Sequence, residues 1–178
     1  MNINNISINT LKPFKSWESP SFEEVSFVFN AAGIEGSNIE KILGINQRTF
    51  RRWTSKKQID RASKSSIPYG VWCLLIYLIT DKSIFHQEEN KDVSKIPKKY
   101  FCNSSEYISP PKEILIKFVG VKSITGLQRK ELATVFGWNP VYLGRTFNAG
   151  CVSYLNWILL LLLCGVDIKK MIETKEID

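Results

Sequence analysis

"GINQRTFRRWTS", residues 44–55, sets the reading of the whole chain. A glycine opens it, an asparagine follows, and three arginines then surround one phenylalanine and one tryptophan. Glycine enters a left-handed backbone at little cost, so Gly44 predicts a sharp turn. Asparagine caps helices by accepting from backbone N–H groups, so Asn46 predicts a new helix over 47–55. Phe50 and Trp53, three residues apart, fall on one face of that helix and are expected to point inward. The same geometry sends Asn46, Gln47, Arg48, Arg51, Arg52 and Ser55 outward, with Thr49 beside them in the first turn.

The chain repeats this design. SNIEKILGINQRTFRRWTS (37–55) is answered by KELATVFGWNPVYLGRTFN (130–148), with Gly44 on Gly137 and Asn46 on Asn139. Ile39 then matches Leu132, Leu43 matches Phe136, Phe50 matches Leu143 and Arg52 matches Arg145. Downstream, IPYGVWCLLIYL (67–78) pairs with VSYLNWILLLLL (152–163), aligning Tyr69 with Tyr154 and Trp72 with Trp157. The register slips between the two blocks because the first copy holds KKQIDRASKSS where the second has only AGC. Upstream, each copy opens on a Ser-Pro turn followed by glutamate: SPSFEE at 19–24 and SPPKE at 109–113.

Each unit therefore predicts four helices in the same order. The first starts after proline (about 21–32 and 111–120). A short second helix follows (about 37–43 and 128–136), then the capped third helix (47–55 and 140–148), then an apolar helix carrying Tyr-x-x-Trp. Ile114 to Val121 (ILIKFVGV) reads either way, helix or strand. The expectation is an all-α chain: an N-terminal arm (1–18), a first unit (19–79), a polar linker (80–108), a second unit (109–170) and a tail (171–178). A short ordered piece near Tyr100 and Phe101 interrupts the linker.

Composition narrows the partner. The net charge of the 178-residue chain is +7 and its pI is near 9.2, which favours a polyanion over a neutral partner. Cys73, Cys102, Cys151 and Cys164 form no CxxC pair and read as small buried hydrophobes in a reducing compartment. No signal-peptide core stands at the N-terminus. The longest apolar run, Trp157 to Val166, is about half of what a bilayer crossing needs and reads as a buried helix. A cytoplasmic protein without membrane contact is expected.

The glycine turn flanked by Ile39, Leu43, Ile45, Phe50 and Trp53, and its second copy with Leu132, Ala133, Phe136, Gly137, Trp138 and Leu143, resemble the helix-turn-helix family, in particular lambda repressor and Cro-like domains. Two departures stand out: Glu40 occupies the position where the second copy has the small Ala133, and Thr146 stands where the first copy has Trp53. The resemblance implies two tandem helix-turn-helix units. It also implies a partner, double-stranded DNA, with the third helix of each unit docked by its N-terminal end in the major groove. It implies a sequence-specific transcriptional regulator of the kind carried by phages, plasmids or other mobile elements.

By that resemblance the outward residues meet base edges: arginine suits guanine, and asparagine or glutamine suits adenine. The second unit presents Asn139, Val141, Tyr142, Gly144, Arg145 and Asn148, of which only Arg145 is charged, so it is read as a base reader, a backbone contact or an interaction module. Lys56, Lys57, Arg61 and Lys64 in the extra basic stretch suit phosphates better than bases. Tyr69, Trp72, Tyr154 and Trp157 are read as packing residues, although paired aromatics also serve base stacking. One chain is expected to act as a pseudo-dimer on major-groove faces about 34 Å apart, or to form a homodimer.

Other chemistries lack their residues. The single histidine, His86, stands in the polar linker with no acid-serine context, and no His/Cys/Asp/Glu cluster has zinc spacing. GLQRKELATVFG is a helix entry and no phosphate loop. No enzyme, cofactor, metal or small-molecule ligand is expected. The competing class is a protein-interaction module on the same scaffold, such as an anti-defence inhibitor or an accessory factor of conjugation or replication.

Overall fold

Ser21 starts the first helix with a reciprocal cap: its hydroxyl accepts from the Glu24 N–H at 3.1 Å, and the Glu24 carboxylate accepts from the Ser21 N–H at 2.7 Å. Two of the orphan donors at a helix start are thereby satisfied. The computed structural model describes residues 5–55, 64–85 and 91–172, and these form two compact units, one up to residue 85 and one from residue 91. The fold is all-α. The described residues hold eight α-helices and no strand, only an isolated antiparallel bridge between Ser21 and Lys64.

In the first unit, α1 (Phe22–Ala31) buries Phe22, Val25, Val28 and Phe29. α2 (Ile39–Leu43) is a single turn and a half, closed by Gly44 at φ +65°. The Asn46 carboxamide then accepts from the Thr49 N–H at 2.9 Å and starts α3 (Gln47–Thr54). α4 (Tyr69–Thr80) follows Pro68 and lies in the middle of the core, with Trp72, Cys73, Leu74 and Leu75 fully buried. Glu40 faces solvent in the first turn of α2, where a carboxylate is favoured by the helix dipole. The glutamate is therefore no obstacle to packing, which Ile39, Ile42 and Leu43 carry instead.

The second unit repeats the order with one change. Its first helix is cut to α5 (Lys112–Leu115) and a 3-10 turn (Ile116–Phe118), shorter than the expected 111–120. Gly120 stands at φ +121° and donates to the Leu127 carbonyl at 2.7 Å, while the Ile124 N–H reaches the Lys117 carbonyl. Those bonds draw the chain into a loop and end the helix. α6 (Arg129–Phe136) ends at Gly137, φ +70°. Asn139 caps α7 (Pro140–Ala149), with proline in the first turn. α7 stops at Gly150, φ +62°, where a β-carbon would stand 3.1 Å from the Lys112 backbone nitrogen. Only glycine fits there, for the backbone angle and for the close approach alike. α8 (Tyr154–Leu163) is apolar on every side from Ile158 to Leu163, and that stretch is buried without a second copy of the chain.

The arm and the segment read as linker both supply packing. Trp72 donates its indole N–H to the Thr10 carbonyl at 2.8 Å, and Trp157 donates to the Tyr100 carbonyl at 2.7 Å. Each acceptor sits in a short 3-10 turn, Ile8–Leu11 and Lys98–Tyr100. Trp17 meets Tyr69 edge-on at 5.2 Å, and Tyr107 meets Tyr154 edge-on at 5.3 Å. Ile6/Ile96, Thr10/Tyr100, Trp17/Tyr107 and Ser19/Ser109 are all 90 positions apart, so the structural repeat begins upstream of the Ser-Pro turns. Tyr69, Trp72, Tyr154 and Trp157 are accordingly core residues. Met171 and Ile172, at the start of the segment read as tail, are buried, and Tyr154 donates its hydroxyl to the Met171 carbonyl. Cys73 and Cys164 are buried as expected, whereas Cys102 is half-buried and Cys151 is exposed at the turn after α7. No single helix among the described residues is long and apolar enough to cross a membrane.

Candidate nucleic-acid interface

α3 is anchored from beneath and free above. Trp53 is 3% exposed, and half-buried Phe50 packs edge-on against Phe29 at 5.0 Å. At the C-terminal end, Ser26 donates to the Thr54 carbonyl at 3.1 Å and Ser65 donates to the Trp53 carbonyl at 2.7 Å. A helix held at its start by Asn46, at its end by two serines and underneath by two aromatics has a defined orientation. Asn46, Gln47, Arg48, Arg51, Arg52 and Ser55 are exposed, and Thr49 is half-buried with its N–H given to the cap. Among the described residues no carboxylate pairs with Arg48, Arg51 or Arg52. Three uncompensated guanidinium groups within five residues form a cationic ridge.

Lys64 stands differently. Its ammonium is 2.7 Å from the Glu18 carboxylate, and that hydrogen bond holds the Glu18 carboxyl below the ordinary glutamate range. Part of its charge is therefore already answered within the chain. Lys56, Lys57 and Arg61, and the lone His86, lie outside the described residues.

At the second unit, the cap Asn139 and the α7 residues Val141, Tyr142, Arg145 and Asn148 are exposed as expected, and Pro140 and Ala149 are exposed with them. The Asn139 carboxamide oxygen accepts from the Val141 and Tyr142 N–H groups, which leaves its amide N–H groups to face outward. Gly144, expected outward, is buried. The cause is Arg129 at the start of α6: a β-carbon on Gly144 would lie 3.1 Å from the Arg129 Nη1 and 3.6 Å from its Cδ. The arginine side chain thus runs across the middle of α7 in the space a side chain would take. An open groove of about 420 Å³ lies there, lined by Arg129, Pro140, Val141, Gly144, Arg145 and Asn148. Residue spacing did not single out Arg129; a glycine inside a capped helix was the available signal that another group approaches closely. The underside also differs from the alignment. Phe147, four residues after Leu143, is buried, whereas Thr146 at the Trp53 position is half-buried and bonded to the Leu143 carbonyl.

A stretch of 74 residues is 39% identical to the transcriptional repressor protein KorC of Escherichia coli, covering 40% of this chain and 79% of that protein. The chain belongs to the KorC family of transcriptional repressors. A second Escherichia coli KorC protein is 34% identical over 74 residues, with the same shares covered. No protein-family model matches the chain, and no solved structure matches it. The KorC match spans less than half of the chain, so one length of KorC sequence answers to only part of a molecule whose helical plan occurs twice.

Proposed function

We propose that the chain is a transcriptional repressor that binds double-stranded DNA sequence-specifically. On this reading α2–α3 and α6–α7 are two tandem helix-turn-helix pairs of the lambda repressor and Cro-like type, within units spanning 19–79 and 109–170. α3 and α7 enter the major groove, N-terminal end first. The observation that carries the reading is the unpaired ridge of Arg48, Arg51 and Arg52 on a helix clamped from below. An arginine fork is matched to guanine O6 and N7, and a rigid mount keeps it in register. The KorC relatives are named as repressors, which supports the direction of regulation. Action in the cytoplasm, on the genes of a plasmid or another mobile element, completes the proposal. The two units of one chain then form a pseudo-dimer.

The deciding measurement is affinity for duplex DNA as a function of salt. Binding through the ridge predicts a log–log slope of about −0.9 for each phosphate neutralised. Replacing Arg52 by alanine should cost about 1–3 kcal/mol and relax preference at one base pair. No duplex binding at low salt refutes the proposal. Exposed Val141 and Tyr142 on α7 favour a second reading, in which that unit is a protein-interaction module; a null effect of Arg145→Ala on duplex affinity supports it.

A further inference from the structure

α3 and α7 occupy equivalent places in their units and present opposite chemistry. α3 offers three guanidinium groups and a glutamine, whereas the outward first turn of α7 offers an isopropyl group and a phenol. Val141 is 61% exposed and Tyr142 49% exposed. They stand two and three residues after Asn139, at the end of the helix that the DNA-binding reading places deepest in the groove. Valine kept in water on an outward helical turn fits a partner that supplies an apolar surface of methyl size. In a major groove the thymine C5-methyl is that surface, and it stands only at A·T and T·A pairs.

The surroundings of Val141 specify the charge of the partner. Arg129 and Arg145 line the same groove and no carboxylate does. Arg129 reaches it because Gly144 has no side chain, its Nη1 lying 3.1 Å from the place of the missing β-carbon. Two cations sharing one groove with an exposed valine match a surface that sets an apolar group beside anionic ones. Duplex DNA has that layout, with base-edge methyl groups between two phosphate backbones.

We propose that the two units read unlike halves of one operator: α3 a guanine-bearing half, and α7 an A·T half in which Val141 packs on a thymine methyl while Arg129 and Arg145 hold the flanking phosphates. The proposal rests on the DNA-binding reading above. An operator of this kind has no two-fold symmetry in its base sequence. It also explains how one helix plan, used twice in a chain, avoids two competing copies of one half-site.

The test starts from a duplex selected by the full chain out of a random library. Uracil is substituted for each thymine in turn, which removes one methyl and leaves base pairing intact, and 7-deazaguanine is substituted for each guanine. At one or two thymines of a single half, uracil should weaken wild-type binding about two- to fivefold. That penalty should vanish for Val141→Ala, whose own affinity falls by a similar factor and whose thermal melting is unchanged because the side chain is exposed. Deazaguanine penalties should fall in the other half and vanish in Arg48, Arg51 or Arg52 alanine variants. Uracil without effect at any position, or a uracil penalty that persists in Val141→Ala, overturns the proposal while leaving DNA binding intact. Val141→Ala with unaltered duplex affinity also overturns it and assigns the apolar pair to a protein partner. Failure of the wild-type chain to bind any duplex at low salt removes the underlying reading as well, and is distinguishable because no variant is needed to see it.

Discussion

The Trp72 indole donates its N–H to the Thr10 carbonyl at 2.8 Å, across 62 positions of sequence, and both residues are buried. Trp157 and Tyr100 do the same in the second unit at 2.7 Å, across 57 positions. One bond thus ties the central helix of each unit to its upstream arm. Trp72→Phe keeps most of the apolar volume and deletes the donor, leaving the carbonyl of Thr10 unsatisfied inside the protein. The expected loss is about 1–3 kcal/mol, with Trp157→Phe in the same range. Chemical denaturation of the two variants, alone and combined, measures it. Because the two bonds lie in different units, the losses should add.

Gly144→Ala separates stability from recognition. Gly144 lies inside α7 outside the left-handed region, so alanine should raise helix stability by about 0.5–1 kcal/mol. The added carbon meets only the far end of a flexible side chain, the guanidinium of Arg129 at 3.1 Å. Displacing that group should lower duplex affinity while the melting temperature rises. A melting curve and a binding isotherm on the same preparation show both. Affinity unchanged by the substitution would take Arg129 out of the interface.

Thiol labelling of the native chain should proceed in a fixed order. Thiolate is the reactive form, and burial pushes the Cys73 thiol far up and the Cys164 thiol up to about 12. Burial also raises half-buried Cys102, aided by the Glu106 charge. Cys151 is exposed. Iodoacetamide at pH 8 should modify Cys151 first and Cys102 more slowly, and should reach Cys73 and Cys164 only on unfolding. Peptide mapping by mass spectrometry over time gives the order.

The Glu18–Lys64 pair predicts a pH dependence with a definite sign. The Lys64 ammonium lowers the folded-state pKa of Glu18, first by hydrogen bonding and then by its charge. A depressed carboxylate contributes stability above its unfolded value and loses it as pH falls through the folded value. The difference in melting temperature between wild type and Glu18→Gln should therefore be present at pH 6 and disappear as pH falls below the ordinary glutamate range. The pair is solvent-exposed, so the difference should be small and should shrink with added salt.

Sequence periodicity made the helical core legible because its determinants are local. Gly44 and Gly137 adopt the left-handed turn they predict, Asn46 and Asn139 cap as expected, and the outward set on α3 is outward. The arm is legible in the sequence only as a segment with little core signal, and residues 91–108 as a polar linker with a short ordered piece near Tyr100, which is the 3-10 turn Lys98–Tyr100. Their role in packing runs through the carbonyls of Thr10 and Tyr100, and a backbone acceptor leaves no mark on residue type. Gly144 failed for a related reason: which side of α7 it faced depended on Arg129, a neighbour on another helix. Phe147 is not legible from the repeat, because the spacing of Phe50 and Trp53 in α3 does not carry over to α7, which buries Leu143 and Phe147 instead.

A tryptophan that grips a peptide carbonyl places no demand on the side chain mounted there. The same tie accordingly holds with threonine at position 10 and with tyrosine at position 100. Two units built on such ties can differ in residue identity and surface chemistry without surrendering their common architecture.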